Sequence, residues 1–302
     1  MPRHFVCLLL YLDERNWPGP KCNGVGTRQS PIDIRTSDVI KDFGKEFVKH
    51  GALEFDGYQQ VLLTAINNDY TVMFSTEGDR VSQPKIRGGP LAHEYRLEQM
   101  HLHWLSEHAI DGIKFPVEIH FVHVRADLDV KRALKRKDGL AILATFCKII
   151  NNEEQTETSF DDLTFILSRL ERVGRRVSGS LLNLTKLFSP TPSLYYTYSG
   201  SLTSPLCNEV VTWIVFPEHI YLTEAQVSLA TLPLQYNLLE KVREGRYNFR
   251  RLQRLDGRRV YQPPSDFLVE PLIVTSLRNA VNTVTEFFAN ITKYGGLLIP
   301  VS

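Results

Sequence analysis

The chain has 302 residues, enough for one large domain or two medium ones, and 43% hydrophobic with 23% charged residues fits an ordinary soluble globular protein. Lys+Arg 35 against Asp+Glu 34 leaves +1, so net charge gives no reason to expect a nucleic-acid partner. No apolar run reaches the ~20 residues of a membrane-spanning helix.

In chain order, residues 1–16 (MPRHFVCLLLYLDERN) have a basic start and an apolar stretch from Phe5 to Leu12, like a short secretory signal. No small-x-small cleavage site follows. This atypical segment implies export if it is a signal and a cytoplasmic protein if it is not. From residue 17 to 262 the chain reads as one mainly-β domain. YTVMFST (Tyr70–Thr76), VEIHFVHV (Val117–Val124), LAILATFCKI (Leu140–Ile149) and EVVTWIVF (Glu209–Phe216) are rich in β-branched and aromatic residues between polar or Gly/Pro clusters, as strands are. Ser159–Val173 has apolar residues at three- and four-residue spacing and predicts an amphipathic helix; Thr223–Leu232 predicts a shorter one. The basic runs Lys131–Lys137 and Phe249–Arg259 read as solvated faces. Residues 263–302 form a tail in which Leu277, Val281, Val284, Phe288 and Ile291 make one helical apolar stripe, expected to pack on the domain.

Of the four cysteines, Cys147 lies in a run that reads as a buried strand and Cys7 in the candidate signal. Cys22 and Cys207 remain as a candidate disulfide pair for an oxidising compartment.

The stretch QMHLHW (Gln99–Trp104) sets His101 and His103 on one strand face. Such a pair is either polar decoration of an edge strand or half of a metal site. Asp111-Gly112 between two β-rich runs predicts a hairpin. A regular register from that turn places His103 opposite His120, so three imidazoles share one face. By the same parity His108 and His123 fall on the other face, as hydrogen-bonded structural residues. Three imidazoles suit zinc, whose fourth tetrahedral position takes a water with a pKa lowered to about 7. HLHWLSE also fits H-x-H-x3-E, the pattern of cupin-type oxygenases on a double-stranded barrel with Glu107 as a fourth ligand. The glycine that pattern wants six residues before the first His is Tyr95 here.

RQSPIDI (Arg28–Ile34), GGPLAHEYRLEQMHLHW (Gly88–Trp104), SEHAIDGIKFPVEIHFVH (Ser106–His123), YTYSGSLTSPLCNEVVTWIVF (Tyr196–Phe216) and NFRRLQRLDGRRVY (Asn248–Tyr261) together resemble the α-class carbonic anhydrases. The closest pattern is that of secreted and invertebrate members. The resemblance implies a large twisted, mostly antiparallel sheet with peripheral helices. It also implies a zinc lyase of one-carbon metabolism (a carbonate dehydratase) that reversibly hydrates CO2 to bicarbonate and a proton through zinc-bound hydroxide. His101, His103 and His120 match the zinc ligands. Gln99, Glu118 and the Asn248 carbonyl match the groups that orient them. Thr203 matches the residue that accepts a hydrogen bond from the hydroxide while its own hydroxyl donates one to Glu107. Val122, Ile142, Leu202, Val211 and Trp213 match the apolar wall where CO2 rests, with Ser204 beside it. Cys22 and Cys207 match the disulfide of secreted and membrane-anchored members. Tyr70 stands where efficient members carry a proton-shuttle His. A phenol near 10 exports protons poorly where an imidazole near 6.5 does so well, so slow, buffer-dependent turnover is expected. The link between Trp104 and Glu107 is shorter than in cytosolic vertebrate-type members. Asn183 (NLT) and Asn290 (NIT) are glycan acceptors if the chain is exported. The partners implied are CO2, water and bicarbonate, acting on a monomer. The alternative is a non-catalytic binding module on the same fold; its members typically lack a zinc-binding His, and this chain has all three.

Overall fold

The computed structural model describes residues 14, 17–19, 21–41, 50–150, 158, 160–227 and 248–264. Its β-rich runs form twelve strands: β1 Asp33–Ile34, β2 Glu54–Asp56, β3 Val61–Asn67, β4 Val72–Thr76, β5 Lys85–Gly88, β6 Leu91–Trp104, β7 Ala109–Ile110, β8 Val117–Arg125, β9 Leu140–Ile150, β10 Arg176–Leu182, β11 Tyr196–Gly200 and β12 Val211–Thr223. Ten of them make one twisted sheet, with the central order β10-β3-β4-β6-β8-β9-β12-β11. Only the β9–β12 pair is parallel among these strands. The sheet runs open from β10 to β11, so the double-stranded barrel of the cupin-type reading is not formed.

β8 and β9 lie at the centre, and β8 is buried along both faces from Val117 to Val124. That burial explains a sequence that is apolar at nearly every position rather than alternating. On one face Ile119 and Phe121 meet Leu102 and Met100 of β6, all four fully buried. On the other, Val122, Ile142, Val211 and Trp213 belong to one apolar cluster against which Leu202 packs.

Two short α-helices lie wholly within the described residues. α1 (Val130–Ala133) is capped by Asp129, whose carboxylate accepts the Arg132 N–H. α2 (Asp161–Leu167) buries Leu163, Ile166 and Leu167. The helix expected to reach Val173 therefore stops six residues early. Leu170 is fully buried, its carbonyl accepts from Asn67 Nδ2 at 3.0 Å, and Gly174 N–H donates to the Asn67 carbonyl at 2.8 Å. These contacts draw the chain off the helix axis toward β10, a tertiary demand that outweighs local periodicity. Of the second expected helix, Thr223 instead ends β12, residues 224–227 are helical and residues 228–232 lie outside the described residues.

By its contacts the chain divides into Met1–Pro263 and Pro264–Ser302. The tail stripe from Leu277 to Ile291, Asn290, Cys7 and the signal-like stretch Phe5–Leu12 all lie outside the described residues. Among the described residues no helix is long and apolar enough to cross a membrane.

Candidate metal centre

The Asp111-Gly112 turn forms as expected. Both residues have positive φ (49° and 79°), as a two-residue hairpin turn with the twist of its strands requires, and Ile110 pairs with Ile113. The register beyond it differs from the regular one. Leu105–Ala109 on the first arm is two residues longer than Lys114–Pro116 on the second, so His101 lies opposite His120 and His103 opposite Glu118. The excess is taken up at Leu105, with φ 64°, and by Ser106, whose hydroxyl accepts Phe115 N–H at 2.9 Å and donates to the His108 carbonyl at 2.6 Å. A two-residue slip preserves the face, which is why the convergence survives. A register shift between Leu97 and Gln99 acts further back. It leaves Leu97 across from His123 but turns Gln99, His101 and His103 to the side of Val122, His120 and Glu118.

The ring centroids of His101, His103 and His120 are 4.5–5.2 Å apart. One ligand atom from each lies within 4.8 Å of the others. Each ring has its second nitrogen engaged. His101 Nδ1 is 2.8 Å from Gln99 Oε1, His103 Nδ1 bonds the Asn248 carbonyl, and His120 Nε2 is 2.7 Å from Glu118 Oε1. The remaining nitrogens are His101 Nε2, His103 Nε2 and His120 Nδ1. Of these, His103 Nε2 is buried without a hydrogen-bond partner. Burial first, then the neighbouring His103 and His120 charges, holds His101 well below its ordinary pKa; burial lowers His103 as well. Both are thus neutral at pH 7, the state in which an imidazole lone pair can take a metal. An orphaned buried nitrogen among neutral imidazoles fits a divalent ion of zinc's type.

The parity expectation for His108 fails. It sits on an irregular segment, and its Nδ1 lies 2.7 Å from Glu118 Oε1 on the metal side while its Nε2 lies 2.7 Å from the Tyr198 hydroxyl. Glu118 also accepts His108 N–H at 2.8 Å, and Tyr198 continues to Ser30 at 2.9 Å. Burial would raise the Glu118 carboxyl, but the charges and hydrogen bonds of His108 and His120 outweigh it and hold the group well below the usual range. The Glu118–His120 contact is the one the resemblance implies; its continuation through His108 and Tyr198 to Ser30 has no signal in the sequence, because the segment that carries His108 there is placed by the pairing of β7 with β1. His123 does lie on the opposite face, its Nε2 2.6 Å from the Tyr58 hydroxyl.

Glu107 is fully buried, and its Oε1 accepts Arg250 N–H at 2.7 Å. The bond expected from Thr203 is not made: Oε2 has no hydrogen-bond partner and faces His103 Nε2 at 3.6 Å and His120 Nδ1 at 3.8 Å. Thr203 is buried on the loop after β11, Leu202 N–H donates to the Asn208 carbonyl, and the Ser204 carbonyl accepts Cys207 N–H at 3.0 Å. A Cys22–Cys207 disulfide closes this loop onto the N-terminal part of the domain. Trp213 lies 4.9 Å from His120 between ring centroids, and Val122 and Trp213 both pair with Ile142, so the apolar residues adjoin the imidazoles. Tyr70 is half-buried on the β3–β4 turn, where Asn68 Oδ1 accepts its N–H at 3.0 Å. The next residue, Thr71, bridges to the Leu102 backbone between the first two histidines.

Sheet and site together define a β-sheet protein with a histidine cluster able to hold a metal beside an apolar wall. A sequence model of eukaryotic-type carbonic anhydrases matches residues 12–264. The chain is 33% identical over 265 residues to "Putative carbonic anhydrase 5" of Caenorhabditis elegans, covering 84% of this chain and 81% of that one. It is 34% identical over 246 residues to "Carbonic anhydrase 5B, mitochondrial" of Homo sapiens (78% and 73% covered) and 32% over 215 residues to human "Carbonic anhydrase 3" (68% and 78%). The chain belongs to the eukaryotic-type carbonic anhydrase family and is an enzyme of CO2 hydration.

Proposed function

We propose that this protein hydrates CO2 reversibly with zinc held by His101, His103 and His120, and that its proton export is slow. The observation that carries the reading is three converging imidazoles, each with its second nitrogen tied to an acceptor. Zinc, when bound, supplies the Lewis acidity that makes water nucleophilic near neutral pH. Gln99, Glu118 and the Asn248 carbonyl fix the tautomer and tilt of the three rings, so the inward nitrogens carry lone pairs. Thr203 and Glu107 act as a pair. Glu107 Oε2 has an unused acceptor position. A Thr203 hydroxyl that commits its hydrogen there can only accept from the attacking oxygen, which orients that oxygen's lone pair toward carbon.

Val122, Ile142, Leu202, Val211 and Trp213 hold a substrate without a dipole and exclude water behind it, with Ser204 at the polar margin. The proton released must leave past Tyr70, a phenol poorly matched to transfer at pH 7, so external buffer sets the rate. The disulfide supports an exported protein, since such bonds persist in oxidising compartments. We assign the catalytic domain to residues 17–262 and expect it to act as a monomer.

Stopped-flow CO2 hydration by protein of measured metal content tests this reading. Activity proportional to zinc, inhibited by sulfonamide and lost in His103→Ala, is expected. Full zinc occupancy without hydration would overturn it in favour of a binding module.

A further inference from the structure

One cross-strand row links the histidine cluster to the edge of the sheet. His101 of β6 pairs with Met73 of β4, Met73 with Ile66 of β3, and Ile66 with Arg176 of β10. Directly paired residues point to one face, so Arg176 shares the face of His101 at about three strand spacings, or ~14 Å. His101, Met73 and Ile66 are all half-buried, whereas their sequence neighbours Met100, Leu102, Val72, Phe74, Ala65 and Asn67 are buried. The row is therefore a solvent-reachable strip leading from the cluster to an arginine.

Two more arginines stand at that end. Arg175 accepts Asn67 N–H at 3.1 Å through its carbonyl, and its own N–H donates to the Arg172 carbonyl at 2.9 Å. The turn bearing both is thereby clamped to Asn67, the residue at which the Tyr70 turn begins. All three arginines are exposed, and among the described residues their guanidinium groups make no ion pair or hydrogen bond. Nearby Arg169 is stacked on Phe165 instead. Glu171 and Asp69 are the acids on these two turns, so positive charge is in excess.

We propose that Arg172, Arg175 and Arg176 form an oxyanion-binding rim that draws anionic bases to the mouth of the strip, making them the preferred external proton acceptors. The inference rests on the slow-export reading above. The net step balances: CO2 and water give bicarbonate and a proton, and hydrogen phosphate dianion takes that proton to become dihydrogen phosphate. Guanidinium forks suit such oxyanions, and a positive field raises their local concentration. Imidazole, a base of similar pKa but neutral before it accepts, gains nothing from that field.

The test compares buffer-dependent turnover in phosphate and in imidazole. In the variant Arg172→Gln/Arg175→Gln/Arg176→Gln the phosphate second-order constant should fall about threefold or more, with imidazole unchanged. The matching triple Lys variant should retain most of the phosphate preference, which separates charge from damage to the fold. Independently, phosphate should shift arginine Nε–Hε resonances of the parent protein, and the absence of any shift overturns the rim whatever the kinetics. Turnover that rises with imidazole but whose phosphate-to-imidazole ratio is untouched by the Gln variant overturns the rim alone. Turnover flat in both buffers overturns slow proton export and the kinetic role of the rim together.

Discussion

Replacing Glu118 by Gln leaves side-chain volume almost unchanged and removes one charge, and the surrounding donors decide the outcome. Oε1 lies 2.7 Å from both His120 Nε2 and His108 Nδ1, and Oε2 accepts the His108 backbone N–H at 2.8 Å. An amide cannot satisfy all three. With its oxygen toward the rings, its NH2 meets a backbone N–H that can only donate. With its NH2 toward the rings, both imidazoles must accept, and His120 must carry its proton on Nδ1, the nitrogen that faces the other two histidines. Either arrangement sacrifices charge-assisted bonds of ~1.5–3 kcal/mol each in a fully buried setting, so a loss of about 3 kcal/mol in metal-free stability is expected. Zinc affinity should fall about 10–100-fold, because the ion must displace that proton or bind a poorly oriented ring. Chelator competition measures the affinity, urea unfolding the stability, and nitrogen-15 spectra of the imidazoles the tautomer. A zinc affinity within a factor of two of the parent would refute the argument that Glu118 sets the tautomer of His120.

Other perturbations probe separate parts of the molecule. Tyr70→His should raise turnover in dilute buffer about tenfold or more and leave it little changed in concentrated buffer; equal rates in dilute buffer would show that the phenol is no bottleneck. Cys22→Ser opens a loop of sequence separation 185, and chain entropy sets the loss at about 5 kcal/mol at most, read from urea midpoints with and without reductant. A loss below ~1 kcal/mol would mean the unfolded chain is not constrained by this link. Burial lowers His123 from 6.5 to about 3. Above pH 6.5 neither state is protonated there and stability is full. As pH falls from 6.5 toward 3 the unfolded chain takes up a proton that the folded one refuses, a loss of about 2 kcal/mol by pH 5. His123→Gln should flatten that part of the pH–stability curve, and an unchanged slope would place the titration elsewhere.

Local chemistry alone determined much of this protein. The β-rich runs, the Asp111-Gly112 turn with its two positive φ angles and the period-two placement of His101 and His103 all follow from side-chain preference and pleat geometry over a few residues. Because a pleat repeats every second residue, even a register wrong by two still brought His120 to the same face. What depended on partners far along the chain was not legible. The extra residues at Leu105–Ala109 make a loop whose path is set by β1, which pairs with β7, and this loop carries His108 to Glu118 instead of away from it. The early end of α2 follows from Asn67 holding the Leu170 carbonyl across a separation of 103 residues. The row from His101 to Arg176 exists only because β10, far along the chain, aligns in register with β3, which the β3–β4 hairpin ties to β6. Periodicity reports on a residue's immediate neighbours, whereas register and loop paths are settled by which strands meet, a free-energy minimum of the whole sheet rather than of any one segment.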